Sequence, residues 1–214
     1  MQTRFFMPND NATFGRYYSL DLGPLHLVMT NTESVLDTPD IDADQKAWLE
    51  KDLAGVDKAQ TPWTLVGGHR PMYCTDKGNS EQCGSFASTL RGLVESTFLA
   101  AGVDVVVAAH EHGYERTYRV ANGAVTSTSY EGAGAPVYIV NGAAGNREGN
   151  EKPAGNQPWS AFQDGSVGYS VLTVTGAPAG AAVLRWQHFA SAGAVLLVCW
   201  NITTCGGGGR GGAG

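Results

Sequence analysis

The pattern of apolar and polar positions near the start of the chain predicts a β-hairpin. Two runs rich in apolar, aromatic and β-branched residues, Tyr17–Leu22 and Leu25–Thr30, flank a Gly23-Pro24 turn. Runs of this kind on either side of a turn dipeptide are typical of paired antiparallel strands. We therefore expect the two runs to pair with each other.

Two amphipathic helices are predicted further along the chain. A capping pattern formed by Asp42 and Gln45 precedes the first helix. Its apolar positions recur at helical spacing and are Trp48, Leu49, Leu53 and Val56. The second helix ends at Gly102, and its apolar positions are Phe86, Leu90, Leu93, Val94 and Phe98.

The remaining elements read as strands. Pro62–Val66 is a short apolar run, and Val103–Ala109 is apolar apart from Asp104, without the alternation of a half-exposed strand. Helical periodicity ends at about residue 131, after which the predicted strands are Val137–Val140, Tyr169–Val174, Ala182–Trp186 and Ala194–Cys199. This order predicts an α/β fold in which a β-α-β-α-β half is followed by antiparallel strands.

The composition disfavours two classes of partner. Fourteen basic and 20 acidic side chains give a net charge of −6, so we expect no nucleic-acid partner. The longest apolar run, Ala194–Trp200, is far shorter than the ~20 residues that span a bilayer, so no membrane span is expected. Residues 205–214 contain seven glycines and are predicted to form a disordered tail.

Cysteine and asparagine positions favour a secreted or lumenal protein. Cys74 and Cys83 enclose a short loop of turn residues, which is more typical of a disulfide than of a metal site. Asn11 and Asn201 each begin an N-x-Thr sequon and are candidate glycosylation sites. The first residues do not resemble a signal peptide, because only three apolar residues precede Pro8 where about 7–15 are needed.

Three histidines are the candidate metal ligands. His69 follows the strand that ends in Gly67-Gly68, while His110 and His112 follow the Val103–Ala109 strand. The carboxyl ends of parallel strands meet at one crevice, where these imidazoles can converge on metal ions. We expect the small residues Gly67, Gly68 and Gly113 to reduce crowding beside the histidines.

The other two histidines, His26 and His188, lie in strand-like runs without a partner motif. We expect them to be surface or edge residues.

The motifs around these histidines resemble those of the purple acid phosphatases. Leu65–Tyr73 and Val103–Arg116 are similar to the last two metal-binding blocks of that family, V-x-x-H and G-H-x-H followed by Y-E-R. The resemblance extends over about residues 4–200, and its further parts are Tyr17–Thr30, the helix with Gln45, Trp48 and Leu49, the 135–146 segment and Trp159–Phe162. Ala109 departs from the family's glycine, and the 73–86 loop lacks the histidines of plant-type members.

The resemblance implies a calcineurin-like metallophosphoesterase with a dinuclear centre that hydrolyses phosphate monoesters. His69 and His110 would then bind a divalent ion (zinc, manganese or iron), and His112 would bind iron. The implied fold is the C-terminal part of a four-layer αββα sandwich that ends in mostly antiparallel strands. The implied division is 1–130 for the C-terminal half of the metallophosphoesterase domain, 131–203 for the purple acid phosphatase C-terminal region and 204–214 for the tail.

The carboxylate blocks of the family, D-x-G, G-D-x-x-Y and G-N-H-[ED], precede the segment that corresponds to residues 17–30 and are absent here. Asp21-Leu22-Gly23 and Gly145–Glu148 only resemble them and are expected to be structural. We therefore expect a partial metal site, an internal origin for Met1, and self-association through an exposed sheet edge. The alternatives are a hydrolase in which the three histidines hold one zinc ion, and a non-catalytic remnant or binding module.

Overall fold

The computed structural model describes residues 7, 15–34, 43–75, 81–132, 134–150, 155–175, 182–192 and 195–203. The predicted glycosylation site at Asn11, the capping residue Asp42 and the 204–214 tail lie outside these residues. Within them, no helix has the length and apolar character needed to cross a bilayer.

A large mixed sheet forms the centre of the fold. Strands β2, β3, β4 and β7 are parallel and adjacent, β1 pairs antiparallel with β2, and β5 pairs antiparallel with β7, β6 and β8. The strands are β1 Tyr18–Leu22, β2 Leu25–Met29, β3 Trp63–Gly67, β4 Val105–Ala108, β5 Tyr114–Ala121, β6 Ala124–Ser127, β7 Val137–Asn141 and β8 Ser160–Asp164. The carboxyl ends of β3, β4 and β7 therefore lie side by side.

A second sheet packs against the large sheet. Its antiparallel strands, in the order β11-β10-β9, are β9 Gly168–Thr175, β10 Val183–Ala190 and β11 Val195–Thr203. Buried Leu184, Trp186 and Ile202 of this sheet join Leu65 and Val105 of the large sheet in one apolar cluster. The two sheets are therefore held together by a shared core.

Two helical segments share the other apolar cluster with the large sheet. Helix α1 is Ala43–Ala54, and helix α2 spans residues 82–101 with π-helical turns at Gln82–Phe86 and Arg91–Glu95. Leu49 of α1 and Phe98 of α2 pack with Val66 and Val106 of the sheet. Because β3 is covered on both faces, all five of its residues are buried.

The α/β class with antiparallel C-terminal strands is confirmed, as are the hairpin, both helices and the six later predicted strands, within a few residues of their predicted ends. Strands β5, β6 and β8 were not predicted from the sequence. Gln45, predicted as a capping residue, is fully buried, and its side-chain amide bonds both the N–H and the C=O of Asn31. Gln45 therefore ties α1 to the chain that follows β2.

Candidate functional site

The loops after β3 and β4 lie in contact at the carboxyl edge of the large sheet. Val66 pairs with Val106 and Gly67 with Val107 in parallel register. Beyond the strands, the Gly68 N–H donates to the Val107 carbonyl at 3.0 Å, and the Ala109 N–H donates to the His69 carbonyl at 2.9 Å. These bonds hold the backbones of His69 and His110 close together.

Gly67 and Gly68 pack closely against Met29 at the end of β2 and Thr32 just after it, and the nearest atoms to them are not those of the histidines. A Cβ at Gly67 would lie 2.7 Å from Sδ of Met29, and one at Gly68 would lie 2.8 Å from Cγ2 of Thr32. The Thr32 hydroxyl also accepts the backbone N–H of His69 at 3.1 Å and of Arg70 at 2.8 Å. The prediction for these two glycines was therefore wrong in its reason, because they allow the Thr32 segment to fix the His69 loop.

His69 and His110 form a hydrogen-bonded imidazole pair. Nδ1 of His110 lies 2.9 Å from Nε2 of His69, and the rings meet edge-on with centroids 4.9 Å apart. His110 has a backbone φ of 61°, in the left-handed region that few non-glycine residues adopt. The predicted convergence of these two side chains is thus present in the fold.

Arg70 and Glu33 complete a polar chain next to the imidazole pair. The Glu33 carboxylate accepts from Nε of Arg70 at 2.9 Å and from Nη2 at 3.2 Å. Nη1 of Arg70 contacts the Gln82 side-chain oxygen and lies 3.3 Å from Nε2 of His110. A guanidinium can only donate hydrogen bonds, so Nε2 of His110 accepts and its Nδ1 donates to His69.

Burial lowers the pKa of His110, and the positive charge of Arg70 lowers it further. A lowered pKa favours the neutral ring, which is the form in which imidazole binds metal ions. The electrostatics of the pair therefore suit a metal ligand.

His112 lies in a tightly turned loop. The Glu111 N–H donates to the Ala109 carbonyl at 2.7 Å, and the Gly113 N–H donates to the Glu111 carbonyl at 2.9 Å. The His112 ring is about one third exposed, and its Nδ1 lies 4.0 Å from a Glu148 carboxylate oxygen. His112 thus faces a carboxylate of the 142–150 loop.

The residues present fit a metal centre only in part. Neutral imidazoles are suitable ligands for zinc and iron. Within the described part of the chain, however, no group of three or more His, Cys, Asp or Glu side chains is placed to hold a metal ion. No catalytic step through a metal can therefore be derived from these residues alone.

The expectation that His26 and His188 are surface or edge residues was wrong, because both are buried and neither β2 nor β10 is an edge strand. His26 is buried between Asp21 and Asp52, with its ring nitrogens 2.7 and 3.0 Å from their carboxylates. His188 is fully buried and stacks on Tyr114 with ring centroids 3.8 Å apart. Both are structural parts of the fold.

Sequence reasoning missed the residues that surround the imidazole pair, namely Thr32, Glu33, Arg70 and Gln82. Of these four, only Arg70 could have been found from the sequence, because it directly follows His69.

The disulfide prediction is confirmed, because Cys74 and Cys83 are bonded. The adjacent Thr75 donates from its N–H and from its hydroxyl to the Glu115 carboxylate, both at 2.7 Å.

Both halves of the chain match models of known protein families. Residues 4–114 match the model for calcineurin-like phosphoesterases, and residues 135–196 match that for "Iron/zinc purple acid phosphatase-like protein C". Acid phosphatase type 7 of Danio rerio is 36% identical over 199 residues, covering 80% of this chain and 43% of that protein. Fe(3+)-Zn(2+) purple acid phosphatase 12 of Arabidopsis thaliana is 36% identical over 139 residues, covering 61% of this chain and 28% of that protein.

A purple acid phosphatase from seeds of yellow lupin (Lupinus luteus) has the same fold, with a TM-score of 0.81 and 23% identity. The match covers 99% of this chain and 38% of that structure. The chain thus spans less than half the length of these relatives.

Proposed function

The chain belongs to the calcineurin-like phosphoesterase family, with a C-terminal region of the purple acid phosphatase type, and we propose on this premise that it carries part of the active site of a phosphate monoester hydrolase. The observation that carries the proposal is the contact between the His69 and His110 imidazoles at the ends of adjacent parallel strands. Ligand sites in α/β sheets lie at this edge.

The metal ions proposed for this site are iron and a second divalent ion. One relative is named for Fe(3+) and Zn(2+), and the second ion here would be zinc, manganese or iron. We assign His69 and His110 to the divalent ion and His112 to iron. A dinuclear centre supplies positive charge that stabilises both the attacking and the leaving oxygen in phosphate ester hydrolysis.

The chain's own contribution is to orient the ligands before any ion arrives. Thr32 fixes the backbone of His69, and His69 holds the ring of His110 through the Nδ1 proton of that ring. Groups that hold ligand imidazoles in one tautomer typically change metal affinity by about 10- to 100-fold when they are removed. A hydrolase with a single zinc ion gains no support, because the close contact joins only two of the three imidazoles.

A zinc titration tests the proposal. Zinc affinity, measured by competition with a chromogenic chelator, should fall more than about tenfold in His69→Ala and in His110→Ala. His26→Gln removes an imidazole on β2 and should retain the parent affinity. Equal zinc affinity in the parent, His69→Ala and His110→Ala would contradict the assignment of this site.

Hydrolysis of an aryl phosphate provides the second measurement. The described residues hold only part of a ligand set, so we expect negligible turnover and no visible charge-transfer band from the 214-residue chain. Turnover at micromolar protein with stoichiometric iron would show instead that the chain holds a complete centre.

Two properties beyond the site are also proposed. Secretion or residence in a lumen is supported by the Cys74–Cys83 disulfide, since such bonds persist in oxidising compartments. Glycosylation at Asn11 and Asn201 would accompany it. Self-association through an exposed sheet edge is supported by apolar side chains on the second sheet.

A further inference from the structure

We propose that Arg70 binds the phosphate group of the substrate at this site. The inference rests on the proposed phosphatase function and adds to it the residue that recognises the phosphate oxygens. It is carried by the position of Arg70, one residue after His69 in the chain and in contact with His110 in space.

The backbone of Arg70 is fixed relative to the imidazole pair. The Thr32 hydroxyl accepts the N–H groups of both His69 and Arg70, so the two residues leave the loop from one anchored point. The Arg70 side chain is only 10% exposed, and its guanidinium lies over the Phe86 ring at 5.1 Å. The guanidinium is therefore positioned before a ligand binds.

Glu33 determines which edge of the guanidinium remains for a ligand. Its carboxylate takes Nε and Nη2 in a two-point contact, so Nη1 points away from Glu33 toward Gln82 and His110. Nη1 already faces the imidazole pair, and it would have no acceptor on His110 if Nε2 of that ring bound a metal ion. A phosphate oxygen is the anionic acceptor that suits a planar guanidinium.

The test is a titration of the full chain with inorganic phosphate, monitored by calorimetry, both without metal and after loading with zinc. Arg70→Gln should weaken phosphate binding by about 10- to 100-fold, since hydrogen bonds to charged groups are lost. Arg70→Lys should lose about tenfold, because one ammonium group cannot keep the two-point contact with Glu33 and also reach the position of Nη1. Arg185→Gln, an exposed arginine on β10, removes the same charge and should bind like the parent.

Glu33→Gln separates phosphate recognition from a purely structural role. This variant retains Arg70 but weakens its anchor, and it leaves the guanidinium charge less neutralised. We expect it to bind phosphate at least as tightly as the parent. Equal weakening in Glu33→Gln and Arg70→Gln would show that the pair only supports the loop and would overturn the inference.

The remaining outcomes also decide the question. Phosphate affinity of Arg70→Gln within twofold of the parent, in both metal states, overturns the inference. If Arg70→Gln does not fold, Arg70→Lys replaces it, and unchanged affinity in that variant overturns the inference. If zinc fails to bind but phosphate binding to the metal-free chain still depends on Arg70, the inference stands and the metal-site proposal fails.

Discussion

His188 is a neutral imidazole inside the protein. It is fully buried, its Nδ1 is 2.9 Å from the Ser170 hydroxyl, and its ring stacks on Tyr114. Burial lowers the pKa of His188, although the Asp164 carboxylate at 3.8 Å acts in the opposite direction. The unfolded chain therefore takes up this proton at a higher pH than the folded chain does.

This difference predicts a loss of stability in acid. The contribution of His188 is complete above its ordinary pKa of about 6.5 and falls as the pH drops below that value. Between pH 7.5 and 5.5, the free energy of unfolding in urea should fall more in the parent than in His188→Phe. The phenyl ring retains the stack on Tyr114 without titrating. Identical pH dependence in the two proteins would contradict the prediction.

Gly142 lies against the loop that carries two of the candidate metal ligands. A Cβ at Gly142 would lie 2.1 Å from the Glu111 carbonyl oxygen, in the loop that carries His110 and His112. Gly142→Ala should therefore destabilise the fold by about 1–3 kcal/mol through overpacking. Gly92→Ala is the matched control, because a Cβ added at Gly92 in helix α2 would meet no heavy atom within 4 Å, and it should be neutral or stabilising by up to about 1 kcal/mol. Equal free energies of unfolding for the two variants, measured by chemical denaturation, would contradict the predicted clash between residue 142 and the Glu111 carbonyl.

At the residue scale, the imidazole pair could be predicted and its surroundings could not. His69 and His110 follow apolar runs, and the carboxyl ends of parallel strands always share an edge. Glu33 is 37 residues from Arg70, and their contact depends on how the Thr32 segment packs on Gly68. No periodic pattern in the sequence predicts the packing of Thr32 on Gly68.

At the scale of elements, the buried side-chain amide of Gln45 ties the start of α1 to the chain that follows β2. Gln45 accepts the Asn31 N–H at 2.6 Å and donates to the Asn31 carbonyl at 3.0 Å, while Leu49 and Leu53 of the same helix are buried against the sheet. The polar contact thus fixes the rotation of a helix whose apolar face supplies most of the buried surface.

Gln45→Leu tests this attachment. Leucine fits a buried site of this size but leaves the Asn31 N–H without the Gln45 oxygen, at a cost of about 1–3 kcal/mol, while the Asn31 carbonyl keeps the Ser34 hydroxyl as a donor. The free energy of unfolding in urea should fall by about 1–3 kcal/mol. Lys46→Ala, next in the chain and exposed in an ion pair with Glu50, should change it by less than about 0.5 kcal/mol. A Gln45→Leu variant as stable as the parent would show that the amide is dispensable.

Element prediction succeeded where burial is apolar and failed where it is polar. Strand β5 was missed because its buried positions include Glu115, Arg116 and Arg119. Arg119 is only 2% exposed, and its guanidinium donates to four backbone carbonyls, those of Ser129, Tyr130, Gly132 and Ala135. The buried charge of Arg119 is compensated by carbonyl groups that lie 10 to 16 residues further along the chain. The charged residues of β5 therefore look, from the local sequence alone, like those of a surface loop.

At the scale of the whole molecule, the second sheet has an apolar outer face. Tyr169, Phe189 and Leu196 form a row across its three strands, since Phe189 is the register partner of both others. Tyr169 is 47% exposed and Leu196 is 46% exposed, and Val171 lies on the same face of β9. Strand β9 is also an edge within the described residues, so it presents unpaired backbone groups beside this apolar row.

Sedimentation velocity should therefore show that the 214-residue chain self-associates as its concentration rises, with a second copy covering the β9 edge and this face. Val171→Lys places a charge on the edge strand and should shift the population toward monomer, because an amine cannot be buried there without a partner. Ala54→Lys adds the same charge to an exposed position on α1 and should leave the association unchanged. A parent chain that stays monomeric at every concentration would refute self-association. Equal dissociation by Val171→Lys and Ala54→Lys would show that the interface is not on the β9 edge.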